Sequence, residues 1–135
     1  MMPHTGIVAC SAEGAALCYR TICVEGGEMV GGHGHSEVSM HTPNLAEYIA
    51  CLERGDMTGV GALMLASAHK LAGMGADFLI CPDNTIHQAL PHVLPNSPLP
   101  WLHIAEVVAE AAVARARNQG YLRLNETWLY VTIQD

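Results

Sequence analysis

Hydrophobic positions along this chain follow two alternating rhythms. Short apolar runs that read as buried strands lie at Thr5–Ala9, Glu37–His41, Asp77–Cys81 and Trp101–Ile104. Between them apolar residues recur at the spacing that lines one face of a helix. Ala16, Leu17, Tyr19 and Cys23 predict a helix over Ala12–Glu25. Leu45, Tyr48, Ile49 and Leu52 predict a second that ends at Gly55. Val60, Leu63, Met64, Ala68 and Leu71 predict a third that ends at Gly73 and Gly75. Asn44 with Glu47 forms an Asn-headed capping box for the second, and Asp56 or Thr58 caps the third. Ile86, Ala89, Leu90 and Val93 predict a helix from Asn84, and Val107, Val108, Ala111 and Ala112 another over Ala105–Gln119. Glu106 near the start of that last helix and Arg115 and Arg117 near its end suit the helix dipole. Gly26-Gly27 and the run Gly31-Gly32-His33-Gly34-His35 read as a mobile connection, and Pro95, Pro98 and Pro100 as a stiff loop. Strands alternating with helices predict βαβ units, hence an α/β domain with a mainly parallel sheet of four to five strands. The fifth strand would be the β-rich run Trp128–Ile133.

Length and composition narrow the function classes. A chain of 135 residues suits one domain, and 50% hydrophobic against 14% charged residues argues against disorder. Six basic and thirteen acidic residues leave a net charge of −7, which argues against nucleic acid or an anionic membrane surface as partner. No apolar run approaches the roughly 20 residues of a membrane span. Met1-Met2-Pro3-His4 lacks the basic and apolar regions of a signal peptide, so the expected location is the cytoplasm. The five cysteines include no C-x-x-C pair and are expected to be free, mostly buried thiols. His33, His35 and His41 could supply metal ligands. No carboxylate sits at a diagnostic spacing, however, so the glycine-rich loop reads as solvated and no metal is expected.

Candidate chemistry gathers where the strand Asp77–Cys81 stops in the polar cluster Asp83-Asn84-Thr85 and opens a helix carrying His87. Ligands of open α/β sheets bind beyond the carboxyl ends of the strands, where helix N-termini offer backbone N–H groups to anions. A carboxylate, an amide, a hydroxyl and an imidazole at one corner suit acid–base work on a small anion. Ser11 follows the first strand and is expected at the same sheet edge. Ser39, His41 and Thr42 end the second strand and could close the pocket. His87, four residues after Asp83, could tune its charge, and Cys81 borders the site. Asp83 and Ser11 read equally well as helix caps.

Asn84-Thr85-Ile86-His87 resembles the Asn-Thr-x-His signature of the aspartate/glutamate racemase superfamily. Gly6-Ile7-Val8, Ala76-Asp77-Phe78-Leu79-Ile80 and Pro98-Leu99-Pro100-Trp101-Leu102-His103-Ile104 match in the same order. The resemblance runs from about Gly6 to about Leu124, the first half of a typical member, so residues 1–124 read as a racemase-like domain and 125–135 as an atypical tail. It implies a flavodoxin-like three-layer fold with strand order 2-1-3-4. It also implies cofactor-independent racemisation or isomerisation of a small carboxylate such as an amino acid of the aspartate/glutamate type, by removal of the α-proton. Family members usually carry a catalytic Cys directly before the Asn-Thr pair. Asp83 stands there in this chain, so Asp83 is the expected base, and Cys81, two residues earlier, is at most an accessory. Ser11, Asn84, Thr85 and His41 are the expected carboxylate-binding residues. Members place one base from each of two similar halves around a shared cleft. A lone first half is therefore expected to form a homodimer, helped by the Trp128–Ile133 strand. The alternatives are a truncated, non-catalytic carboxylate-binding domain, and a decarboxylase-like lyase that needs only one proton donor.

Overall fold

The computed structural model describes residues 2–118. The elements are β1 (Thr5–Val8), α1 (Ala12–Val30), β2 (Val38–His41), α2 (Leu45–Glu53), α3 (Met57–Gly73), β3 (Phe78–Ile80), α4 (Asn84–His87), α5 (Leu90–Val93), β4 (Trp101–Leu102) and α6 (Ile104–Asn118). A single 3-10 turn, Leu94–Asn96, lies between α5 and β4. The four strands form one parallel sheet in the order β2-β1-β3-β4, the order that the resemblance implies. The expected strand Trp128–Ile133 and the division at residue 125 lie outside the described residues.

Alternation along the central strands sends side chains to two separate cores. Val8 of β1 and Leu79 of β3 are fully buried with Tyr48 of α2, with Val60, Met64, Ala68 and Leu71 of α3, and with Leu90 and Val93 of α5. On the opposite face Ile7 and Ala9 pack with Ala15 of α1, bordered by Cys18, Ile22, Val38 and Ile80. The result is a flavodoxin-like three-layer α/β arrangement with unequal outer layers. Ala15 is the one buried residue of α1, whereas α3 buries six. Leu17, Val24, Met29 and Val30 of α1 stay exposed. From Ala105 onward the chain is a separate unit. Within it, α6 carries Glu106 in its first turn and Arg115 and Arg117 in its last, as the helix dipole favours.

Two helices differ from the sequence expectation. The first does not stop at Glu25 but runs to Val30, taking in Gly26 and Gly27, which had read as a mobile connection. Gly26 is small because the returning chain presses on it: a Cβ there would lie 2.6 Å from the Cβ of His35. The helix expected from Asn84 through Val93 is two short ones, α4 and α5. Pro91 explains the break, since it has no N–H to give the His87 carbonyl. The bonds Ala89 N–H to Ile86 O and His92 N–H to Ala89 O tighten the junction instead.

Candidate active site

The chain crosses from β1 to β2 on one side of the sheet and returns to β3 on the other. The loops after β1 and β3 therefore diverge at a topological switch point, where open α/β sheets hold their ligands. Register fixes who meets whom there. Thr5, Gly6 and Ile7 pair with Phe78, Leu79 and Ile80, and the same offset carried three residues further sets Cys10 beside Asp83. The helix that follows β1 is pressed onto the other loop. A Cβ on Gly14 would lie 2.6 Å from the Pro82 carbonyl oxygen and 3.0 Å from Ser11 Oγ. Ser11 and Asp83 thus share one corner, as the sequence leads one to expect.

Both residues are caps. Ser11 Oγ accepts from the Gly14 N–H at 3.3 Å. Asp83 accepts from the N–H groups of Thr85 at 3.1 Å and Ile86 at 3.3 Å, and both bonds go to Oδ1. These two amides, expected from sequence to hold a substrate carboxylate, are therefore engaged by Asp83. What α4 leaves exposed at the corner are the side chains of Asn84 and Thr85. Asp83 is half-buried, and its Oδ2 takes no part in the cap.

Cys10 is the partner that the sequence did not single out. Burial, then the neighbouring Asp83 carboxylate, pushes its thiol up to about 11, so at neutral pH it remains S–H. Cys81 is fully buried in the core, and its thiol is raised further by burial, then by Asp83 and Cys10. It is accordingly neither exposed nor readily ionised. Tyr48, also fully buried, belongs to the same cluster. Its phenol is raised by burial and then by Cys81, Cys10 and Asp83. Its hydroxyl completes no hydrogen bond, although Ser67 Oγ is near enough to favour the ionised form. Cys10 follows β1 at the point matching Asp83 after β3, a match that only the register of the two strands reveals. Tyr48 offered only a helix-face spacing that any core residue shares.

The two imidazoles have other work. His41 Nδ1 lies 2.6 Å from Ser67 Oγ, and Nε2 is 3.3 Å from Lys70 Nζ. An ammonium only donates, so Nε2 carries the lone pair and Nδ1 donates to Ser67. Burial, then the Lys70 charge, lowers the His41 pKa. His41 thus points to α3 instead of joining Ser11, and Thr42 is its neighbour that reaches the corner cavity. His87 Nε2 donates to the Cys81 carbonyl at 2.9 Å, and its ring stands edge-on to His103 with centroids 5.1 Å apart. Its pKa is lowered, chiefly by burial, so at neutral pH it anchors α4 to the end of β3 rather than acting as a cation toward Asp83. His33 and His35 line an open cavity of about 530 Å³ with Cys23 and Glu28. Among the described residues no three His, Cys, Asp or Glu side chains converge as metal ligands.

Beside the corner a cleft of about 320 Å³ opens between the start of α1 and the end of β2, with Cys10, Ser11 and Thr42 in its wall. Among the described residues no helix is long and apolar enough to cross a membrane.

A family model for Asp/Glu/hydantoin racemases matches residues 2–128. The chain belongs to that family. Its fold is similar to that of a presumed Asp/Glu racemase from Yersinia pestis, with TM-score 0.76 and 24% identity over 88% of this chain and 50% of that one. An aspartate racemase homologue from Pyrococcus horikoshii aligns with TM-score 0.71 and 22% identity over 84% of this chain and 50% of its own. At such identities the likeness is one of fold, and this racemase-family chain spans about half the length of either structure.

Proposed function

We propose that the corner formed by Cys10, Ser11 and Asp83-Asn84-Thr85 is the proton-transfer and carboxylate-binding site of a cofactor-independent racemase or isomerase acting on a small carboxylate such as an amino acid. Family membership supports a racemase-type function in general. The observation that carries the finer reading is the register that sets Cys10 and Ser11 beside Asp83 at the switch point of the sheet, with Gly14 pressed onto the Pro82 carbonyl. In this reading the Asp83 oxygen free of the cap, Oδ2, removes the proton α to the carboxylate, while Oδ1 keeps the side chain oriented. The protonated Cys10 thiol, in the same reading, donates to the neighbouring Asp83 carboxylate and acts as a positioning residue. Ser11 Oγ and the exposed Asn84 and Thr85 side chains bind the substrate carboxylate and the charge that grows on it as the proton leaves.

Inversion needs a second group on the opposite face. Half the length of each solved relative has no counterpart within this sequence, and α1 exposes Leu17, Val24, Met29 and Val30. Apolar surface of this kind favours association, and two copies can meet through one patch in a closed pair. A homodimer that brings the two Asp83 side chains to one cleft would supply both bases. Racemisation followed by chiral chromatography, alongside light scattering across a dilution series, tests this. Activity and dimer should fall together on dilution. Full specific activity in a monomer would contradict the two-copy site.

A further inference from the structure

We infer that the cleft beside this corner receives the substrate's side chain, and that this side chain is apolar rather than a second carboxylate. The inference rests on the proton-transfer reading above and adds the substrate class to it. Cys10 and Ser11 join the two places, since the β1–β3 register sets Cys10 beside Asp83 and both residues line the cleft. A substrate whose α-carbon stands at Asp83 and whose carboxylate meets Ser11 would project its substituent into that space. The wall is built from Ala9, Ala15, Ala16, Met40, Pro43 and Leu45, and its further polar groups are hydroxyls and a thiol, with no cation. Met40 and Leu45 are 45% and 43% exposed, large apolar side chains standing open at a strand end and a helix start. A volume of about 320 Å³ accepts a branched aliphatic or a single aromatic ring. A carboxylate moved there would lose water and find no countercharge, whereas each buried methylene tightens binding by about fourfold.

Ligand-observed NMR titrations of acetate, glutarate and 3-phenylpropionate test this with wild-type protein, Ala16→Trp and Thr42→Arg. Ala16 and Thr42 are exposed members of the wall, so both substitutions spare the core. Wild type should bind 3-phenylpropionate at least about tenfold more tightly than acetate or glutarate. Ala16→Trp should remove that advantage while acetate binding persists, and Thr42→Arg should improve glutarate. Glutarate binding as tightly as 3-phenylpropionate in wild type, or an advantage untouched by Ala16→Trp, would overturn the apolar side-chain site while leaving the carboxylate corner standing. Failure of wild type to bind any of the three would refute the carboxylate corner itself, and this inference with it.

Discussion

The observed cap and the proposed base role of Asp83 use two different oxygens, which makes them separable by substitution. Oδ1 holds the amides of Thr85 and Ile86, so Asp83→Ala should cost about 1 kcal/mol of stability through loss of the cap. Asp83→Asn keeps an acceptor there and should hold stability within about 0.5 kcal/mol, while losing the proton acceptor. Denaturant titrations of the two variants check this directly. Cys10 has its own signature. Its thiol is raised from 9.0 to about 11 in the folded protein, so the unfolded chain gives up its proton first as pH rises. Folding stability should be complete below about pH 9 and decline toward about pH 11, by on the order of 1 kcal/mol per pH unit. Cys81 and Tyr48 are shifted in the same direction and add to the decline. Cys10→Ala should flatten part of the alkaline slope in urea titrations, and an unchanged slope would count against a Cys10 thiol raised by burial and by Asp83. Asp83, Asn84 and Thr85 were legible as a corner because residue type and strand ending coincide there. Cys10 was not, because a thiol after an apolar run reads as core until the register of two strands seventy residues apart is known.

Among the elements, α1 positions the corner and does so by close approach. Its first turn rests on the Pro82 carbonyl at Gly14, where an added Cβ would sit 2.6 Å from a backbone oxygen that cannot move aside. Gly14→Ala gains about 1 kcal/mol of helix propensity, but overpacking there should cost about 1–3 kcal/mol. A net loss in melting temperature, with weaker acetate binding, is the expected outcome. A more stable variant with normal binding would show that the two loops are not packed this tightly. The strands, their parallel pairing and most helices followed from hydrophobic rhythm, whereas the strand order was what the family resemblance implied. Helix ends did not. Gly26 and Gly27 looked like breakers, yet α1 continues through them because the returning segment at His35 needs the space. The apolar spacing of Ile86, Ala89, Leu90 and Val93 read as one helix, although two short helices broken at Pro91 satisfy it as well.

At the scale of the whole molecule, two imidazoles outside the corner tie stability to pH. His41 and His87 both have lowered pKa values, with burial the leading cause. The unfolded chain therefore takes up protons first as pH falls below about 6.5, and stability should decline from there downward. Thermal melts across that range should show the decline. His41→Gln should reduce its steepness, while a pH-independent melting temperature would contradict the lowered pKa values of the two imidazoles. The central claim concerns the proton that Asp83 is held in place to take. It is tested most directly by α-proton exchange into amino acids in deuterated water, read by NMR for wild type, Asp83→Asn and Cys81→Ala. Loss of a general base typically lowers such a rate by about 10² to 10⁴. Asp83→Asn should therefore remove exchange with folding intact, and Cys81→Ala should leave it largely unchanged. Exchange that survives Asp83→Asn and disappears in Cys81→Ala would contradict the account.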